Sequence, residues 1–259
     1  MLILIYILLS ALIGVCLGLF LKPVFVLYAF LILLGFIILH VLFLAVLALI
    51  SRLTRKKKRL RADKFTRDFV LLTLDSVLWI YGAKIQVRGK ENIPSGEFLL
   101  VCNHISQLDP IFLMVAIKEH SLGFVAKKEL LNIPIIGDLL YTLGCVTLDR
   151  DSAREALSAI NETTELLQGG KCSMGIFPEG KTNRTGETLL PFKSGAFRPA
   201  VRSGLPVLAC TIKGSTGFLT RFRSTVKIDI LGTVETIDRT TQDVSNEAYQ
   251  MMYDALNEK

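Results

Sequence analysis

The sequence predicts an α/β domain that follows an apolar N-terminal segment. Strand-like and helix-like runs alternate over most of the chain, an order typical of a sheet covered by helices. The first 50 of the 259 residues contain one formally charged side chain, that of Lys22, although charged residues make up 20% of the chain. We therefore divide the chain into a membrane anchor, residues 1–62, and an α/β domain, residues 63–259.

The N-terminal segment contains two apolar runs, Leu2–Leu21 and Val24–Ile50, which Lys22-Pro23 separates. About 20 helical residues cover the roughly 30 Å hydrocarbon core of a bilayer, so each run is long enough to form a spanning helix. A signal peptide is disfavoured, because no cation precedes the first run and the second run follows at once. Two spans, or a hairpin that dips into one leaflet, would both return the chain to its starting side.

A basic run follows the apolar segment directly. Residues 51–62 contain seven cations and no acid, and they carry essentially the whole net charge of +7. Such a run usually faces the cytoplasm and anionic lipid headgroups. We therefore expect a cell-membrane protein with its domain on the cytoplasmic side and with an anionic membrane surface, not nucleic acid, as partner. The cations are Arg52, Arg55, Lys56, Lys57, Lys58, Arg59 and Arg61.

The five cysteines form no CxxC pair and are odd in number. This pattern argues against a disulfide framework and against a zinc site. We expect reduced thiols in a cytosolic domain, and no metal.

The α/β domain begins with a predicted amphipathic helix at Lys64–Ala83, which packs either on the core or at the membrane surface. A turn is predicted at residues 92–96, and Gly169-Gly170 ends a later helix. Strands are predicted at Lys84–Arg88, Glu97–Cys102, Gly123–Ala126, Ser173–Phe177, Val207–Ile212 and Val226–Leu231, and further helices at Pro110–Lys118, Ser152–Gln168 and Ser245–Asn257.

The first candidate site directly follows an apolar strand and contains His104 and Asp109. Five residues apart, they would lie about 140° apart on a straight helix, but a bend between strand and helix can bring them together. The carboxylate would then hold one imidazole nitrogen while the other takes a proton from a hydroxyl. No nucleophilic serine is needed if a substrate hydroxyl itself attacks. The alternative is structural, since Asp109-Pro110 is also a typical helix N-cap with proline at N1.

The second candidate site is the polar loop that follows the predicted strand ending at Phe177. Loops at strand ends are where α/β sheets bind ligands. This loop contains Arg184, while Lys193 lies on a glycine turn downstream and Arg150 at the end of another predicted strand. Together the three cations would suit a phosphate monoester. Taken singly, each is also explained as a solvated surface charge.

Residues 175–182, GIFPEGKT, match the P-loop pattern GxxxxGK[ST]. A P-loop requires a strand before this pattern and a helix after it. Here Pro178 removes an amide donor, Glu179 would face the phosphates, and a turn is predicted after Thr182. A P-loop NTPase is therefore a remote alternative.

Four segments, in this order, resemble blocks of the phospholipid and glycerol acyltransferases, particularly the bacterial 1-acylglycerol-3-phosphate acyltransferases. Asn103–Asp109 matches the NHxxxxD block of that family, and Gly144–Arg150 resembles its second block. Phe177–Gly180 resembles the start of the FPEGTR block, and Leu205–Val207 the fourth block. The resemblance covers residues 84–231 and implies a glycerolphosphate-acyltransferase-like domain with a covered, mixed sheet.

The resemblance also implies an activity. An acyl group would pass directly from acyl-CoA or acyl carrier protein to the free hydroxyl of a lysophospholipid, 1-acylglycerol 3-phosphate, without an acyl-enzyme and without a cofactor. By resemblance His104 is the general base, and Asp109 orients and charges its imidazole. The residues assigned to substrate binding are Asn103, Arg150, Glu179, Gly180, Lys181, Arg184 and Lys193.

The chain departs from the family pattern at one point. The family has Thr-Arg after the PEG sequence, whereas this chain has Lys181-Thr182 and an arginine only at Arg184. Either Lys181 or Arg184 replaces the usual phosphate contact, or the acceptor is a different lysolipid. A non-enzymatic membrane scaffold, in which Asp109 is only a cap, is a further alternative, and it predicts no loss of turnover when His104 is changed.

Overall fold

The structure is a computed structural model that describes residues 64–133, 136–149, 152–170, 172–216 and 224–258, together with isolated helical positions between residues 9 and 49. The basic run, most of the two predicted anchor helices and Arg150 lie outside the described residues. Among the helices that are described, none combines the length and the apolarity needed to cross a bilayer.

Seven strands form one sheet at the centre of the domain. They are β1 (Lys84–Arg88), β2 (Leu99–Cys102), β3 (Leu122–Lys127), β4 (Val146–Leu148), β5 (Ser173–Ile176), β6 (Val207–Lys213) and β7 (Thr225–Val234). Their order in the sheet is β1-β7-β6-β2-β5-β3-β4. The strands from β6 to β4 are mutually parallel, β7 runs antiparallel to β6, and β1 is parallel to β7. The prediction of a mixed sheet is confirmed.

Helices cover both faces of this sheet. They are α1 (Lys64–Ile80), α2 (Asp109–Ala116), α3 (Ile136–Thr142), α4 (Ala153–Gln168), α5 (Arg198–Ser203) and α6 (Thr241–Asn257). Successive strand residues point to opposite faces. Leu100 of β2 accordingly packs in one hydrophobic cluster with Leu78 of α1 and Phe112 of α2. Val101 packs in the other cluster, with residues of α4, α5 and α6 such as Ala159, Ala200 and Ala248.

Several element boundaries differ from the predicted ones for local reasons. Helix α1 ends at Ile80, before Gly82, whose φ of 74° is left-handed. Helix α6 begins at Thr241 and not at the predicted Ser245, because the side chains of Thr240 and Asp243 form a capping box there. The short helices α3 and α5 had no recognised sequence signal, since 7 and 6 residues hold too few turns for a clear apolar period.

The topology brings several chain segments to one edge of the sheet, which we call the carboxyl edge. Because β6, β2, β5 and β3 are parallel, their carboxyl ends all lie there. Because β7 is antiparallel to β6, the amino ends of β7 and β1 lie at the same edge. The loops after β2 and β5, which contain the two candidate sites, therefore meet at the carboxyl edge.

Candidate active site

His104 and Asp109 form a buried pair in the bend between β2 and α2. Nδ1 of His104 lies 3.0 Å from Oδ2 of Asp109. The aspartate side chain is fully buried, whereas that of His104 is 9% exposed. Oδ2 also accepts hydrogen bonds from the backbone N–H groups of Ile105 and Ser106, each at 2.8 Å. The bend that the sequence required is thus present.

This arrangement fixes which imidazole nitrogen is available for chemistry. A carboxylate only accepts hydrogen bonds, so its contact with His104 requires a proton on Nδ1. A neutral imidazole protonated at Nδ1 has its acceptor lone pair at Nε2. The pair can therefore accept a proton at Nε2, and the adjacent carboxylate stabilises the imidazolium that results.

Asp109 does not act as the N-cap of α2, which corrects the structural alternative. It is the first residue of that helix, and the N-cap position is held by Leu108, without a side-chain hydrogen bond, before Pro110. The carboxylate accepts instead from the loop N–H groups of Ile105 and Ser106. The Asp-Pro sequence is compatible with both arrangements, and the bend of the loop selects the second.

Phe177 supports the imidazole from one side, a role that sequence reasoning missed. Its ring is stacked on that of His104, with centroids 4.1 Å apart and planes 19° apart. Phe124 stacks on Phe177 in turn, at 5.5 Å. Gly175 makes room for Phe124, since a Cβ at that position would lie 2.3 Å from its ring. An aromatic face against His104 restricts the plane of the imidazole ring.

Glu179 fastens the backbone of His104 to the loop after β5. Its side chain is buried, with 3% exposure. Oε1 accepts from the backbone N–H of His104 at 2.7 Å, and Oε2 from that of Leu190 at 3.2 Å. Burial raises the pKa of this carboxyl above its ordinary value. The contacts of Glu179 are thus with the protein's own backbone, and its predicted role in substrate binding stays a prediction.

Asn103 and Cys102 have structural surroundings. The side-chain amide of Asn103 donates to the backbone oxygen of Ile212 at 3.0 Å and accepts from its N–H at 2.8 Å, which extends the pairing of β2 with β6. Both ends of this amide are therefore engaged within the protein. Cys102 is completely buried, and burial raises the pKa of its thiol well above the ordinary value, so it is not a thiolate nucleophile.

Backbone hydrogen bonds fix the chain at or beside two of the predicted phosphate contacts, Arg184 and Lys193. The N–H of Asn183 donates to the backbone oxygen of His104 at 2.6 Å, which brings the neighbouring Arg184 to the loop of His104. The N–H of Lys193 donates to the backbone oxygen of Pro178 at 2.9 Å. The side chains of Arg184 and Lys193 are both exposed.

Gly180 allows Lys193 to lie close to the turn after β5. Gly180 has a left-handed φ of 72°, and a Cβ added there would lie 3.0 Å from both Cε and Nζ of Lys193. The absence of a side chain at Gly180 thus leaves room for the Lys193 side chain, and the predicted role of Gly180 in substrate binding stays a prediction. Lys181 is exposed beside it.

The P-loop alternative does not fit this geometry. The chain from Phe177 to Lys193 forms turns and loop, and the next helical turn begins at Ser194. The carboxylate of Glu179 fills the place at which a P-loop would present amides.

Replacing Glu179 with glutamine should destabilise the domain by about 1–3 kcal/mol, because the new NH₂ group would face one of the two N–H donors. This difference should shrink as the pH rises above about 4.5. Burial raises the folded-state pKa of Glu179 above its unfolded value, so the parent protein loses stability through that window while the glutamine variant does not. Urea unfolding at several pH values measures both effects, with Glu187→Gln in the exposed part of the loop as the control. A pH-independent difference would contradict the burial argument.

Three comparisons with known proteins show which proteins this chain is similar to. A family model described as Acyltransferase matches residues 84–213, half of the chain. The 1-acyl-sn-glycerol-3-phosphate acyltransferase of Borreliella burgdorferi is 36% identical over 144 residues, which are 54% of this chain and 56% of that protein. The protein of the same name from Saccharomyces cerevisiae is 32% identical over 136 residues, 52% of this chain and 45% of that protein. The matched part of this chain thus spans about half the length of these curated relatives.

A solved structure is similar over a longer stretch. The crystal structure of the 1-acyl-sn-glycerophosphate (LPA) acyltransferase, PlsC, from Thermotoga maritima superposes with a TM-score of 0.63 at 25% sequence identity. The match covers 76% of this chain and 82% of that one.

Proposed function

We propose that this chain, which belongs to the acyltransferase family, transfers a fatty acyl group from a thioester to the free hydroxyl of 1-acylglycerol 3-phosphate and so forms phosphatidic acid. The observation that carries the proposal is the buried His104–Asp109 pair, which lies within the segment that the family model matches. The names of the similar proteins supply the acceptor.

The proposed reaction uses His104 first as a base and then as an acid. Nε2 takes the proton of the acceptor hydroxyl while the oxygen attacks the thioester carbonyl. The tetrahedral intermediate collapses by breaking the carbon–sulfur bond, and the imidazolium returns the proton to the leaving thiolate. The products are an ester and a free thiol, and no acyl-enzyme forms. Asp109 stabilises the transient imidazolium, and the ring of Phe177 holds the plane of the imidazole.

The cations near the turn after β5 support a phosphate-bearing acceptor. The backbone contacts described above belong to Lys193 and to Asn183, the neighbour of Arg184, on a loop hydrogen-bonded to His104. Lys181 is the third cation of this group, and Arg150 is proposed as the fourth from the sequence. A phosphate monoester carries up to two negative charges and accepts bidentate hydrogen bonds from arginine. We therefore favour 1-acylglycerol 3-phosphate over a lysolipid whose headgroup is a phosphate diester.

An acyl-transfer assay in detergent tests this function. Lysophosphatidic acid would be compared with lysophosphatidylcholine, lysophosphatidylethanolamine and lysophosphatidylglycerol, each with acyl-CoA and with acyl carrier protein as donor. We expect the monoester acceptor to have the highest kcat/KM with at least one donor. Preference for a diester would favour acylation of another lysolipid. Absence of transfer with every pair would overturn the proposed activity.

Changing Arg184 or Lys193 to alanine should raise the KM for lysophosphatidic acid by about tenfold or more, with a smaller effect on the donor's KM. A hydrogen bond to a charged group contributes about 1.5–3 kcal/mol, and each change would remove one. Steady-state kinetics with each substrate varied in turn measure the effect. The matched control is Arg202→Ala, whose guanidinium binds Asn161 on the face of the sheet covered by α4. Unchanged acceptor KM values in both variants would show that these charges are only solvated.

A membrane location is proposed from the N-terminal sequence and from the carboxyl edge. The acceptor and the product are both lipids, and seven cations at roughly 1 kcal/mol each would bind an anionic surface. Helix α1 ends next to the amino end of β1, so its exposed Trp79 and Ile80 lie at the carboxyl edge. The exposed Ile133 and Ile136 follow β3 at this edge as well. These side chains support a membrane surface next to the site, and the basic run of residues 51–62 supports the cytoplasmic side.

Deleting residues 1–50 should leave a protein that binds anionic vesicles through residues 51–62 and is released by high salt, because salt screens surface attraction. Vesicle flotation at low and high salt measures this, with vesicles of neutral lipid as the control. Binding that resists salt would contradict the prediction. Trp79→Ser combined with Ile80→Ser would then show whether the apolar side chains at the carboxyl edge are responsible.

A further inference from the structure

Asp109 has a fourth hydrogen-bonding partner, which lies outside the segment matched by the family model. Oδ1 of Asp109 accepts a hydrogen bond from the hydroxyl of Ser215 at 2.5 Å. Oδ2 is the oxygen that faces His104 and the two loop amides. The carboxylate is therefore held at both oxygens, from two different parts of the chain. Both Asp109 and Ser215 are fully buried.

The fold places Ser215 rigidly. Strand β6 ends at Lys213, and Asn103 binds both backbone groups of Ile212 just before that end. Gly214 follows with a left-handed φ of 85°, and a Cβ there would lie 2.3 Å from the backbone oxygen of Thr225. Only glycine fits this turn, which directs Ser215 under the loop of His104 and Asp109. The contact joins residues 106 positions apart.

We propose that Ser215 is a positioning residue, which fixes the plane of the Asp109 carboxylate so that Oδ2 faces Nδ1 of His104. Hydrogen bonds at Oδ2 alone would let the carboxylate tilt about that oxygen through coupled side-chain torsions, which would turn its acceptor lone pairs away from Nδ1. The hydroxyl of Ser215 removes that freedom, and a hydrogen bond from a hydroxyl to a carboxylate is of the strong, charge-assisted kind. Ser215 touches no reacting atom and acts through Asp109. The consequence for turnover rests on the proposed acyltransferase function, whereas the geometric consequence does not.

The kinetic test compares Ser215→Ala with Ser215→Thr and Ser215→Cys in the full-length protein. We expect Ser215→Ala to lower kcat by about tenfold or more while both KM values stay near those of the parent. Threonine keeps the hydroxyl and should restore kcat. Cysteine is close to serine in size and only a weak hydrogen-bond donor, so Ser215→Cys should lower kcat as Ser215→Ala does. If the alanine variant does not fold, the cysteine variant still tests the proposal. The matched control is Thr211→Val on β6, the strand that precedes Ser215, since Thr211 Oγ1 is buried and makes no hydrogen bond within the described residues.

A double-mutant cycle tests whether Ser215 acts through Asp109. If it does, Ser215→Ala should have little further effect on kcat in an Asp109→Asn background, because the charge that it orients is absent. Additive losses would show an independent structural effect and would overturn the proposal.

A second readout needs no substrate. The chain has three histidines, so selective ¹⁵N labelling allows the Nδ1–H signal of His104 to be assigned with a His104→Ala variant. An imidazole N–H proton that is hydrogen-bonded to a carboxylate resonates far downfield. We expect this signal to move upfield or broaden in Ser215→Ala and Ser215→Cys, and to persist in Ser215→Thr and Thr211→Val. An unchanged signal in both donor-deficient variants overturns the positioning role even if the chain transfers no acyl group. If the signal changes in these variants but the parent protein transfers no acyl group, only the proposed function is overturned.

Discussion

Replacing His104 with alanine should lower kcat by roughly 10²–10⁴-fold, the usual range for loss of a general base. The physical reason is the absence of another described group positioned as His104 is, with Nδ1 held by Asp109 and Nε2 available as an acceptor. Substrate KM values should change much less, because the proton moves only in the reaction step. Initial rates with saturating lysophosphatidic acid and donor measure the effect.

His120→Ala is the matched control for this change. The His120 ring makes an edge contact with Phe98, with centroids 5.5 Å apart, and it has no carboxylate partner among the described contacts. We expect its removal to leave kcat near the parent value. Turnover near the parent rate in His104→Ala would contradict the mechanism and would favour the alternative of a non-enzymatic membrane scaffold.

Asp109→Asn should also be severely impaired in kcat, although it should fold. Asparagine can place its oxygen at the Oδ2 position, where it accepts from Ile105, Ser106 and His104. Its NH₂ group would then face Ser215, whose hydroxyl can turn to accept a hydrogen bond. The neutral amide nevertheless cannot stabilise the imidazolium, so the reaction step loses a charge that the folded state does not require. Parallel measurements of kcat and of thermal unfolding separate the two effects.

Asp109→Ala should lose stability as well as kcat, unlike Asp109→Asn. It leaves two backbone N–H groups and the Ser215 hydroxyl without their buried acceptor, at a cost of about 1–3 kcal/mol for each unsatisfied group. We therefore expect Asp109→Ala to unfold at a clearly lower temperature than Asp109→Asn, while both have low kcat. A folded Asp109→Asn protein that turns over near the parent rate would disprove the role of the carboxylate charge.

The local parts of the site could be predicted because their signals lie within short stretches of sequence. A histidine and an aspartate five residues apart after an apolar strand need only a bend to meet, and the bend is there. The loop after β5 was predicted to follow a strand and to lie where α/β sheets bind ligands. The contact of its Glu179 with His104 places this loop at the carboxyl edge. The local sequence could not decide whether Asp109 is the N-cap of α2 or the carboxylate partner of His104, because the Asp109-Pro110 dipeptide is compatible with both roles.

Other features depend on which strands become neighbours. Glu179, Asn103 and Ser215 carry polar groups that sequence alone could assign to substrate or to solvent, and each binds a residue more than 70 positions away. Such contacts exist because β6, β2 and β5 pair in parallel, which brings the carboxyl ends of three strands that are distant in sequence to one edge. The amino-acid sequence therefore predicted the α/β class from local periodicity and the His104–Asp109 pair from a short spacing, whereas the mixed sheet was expected from the resemblance to a family. Strand pairing decided which polar groups hold that pair in place, because hydrogen bonds between residues distant in sequence depend on the register of the sheet.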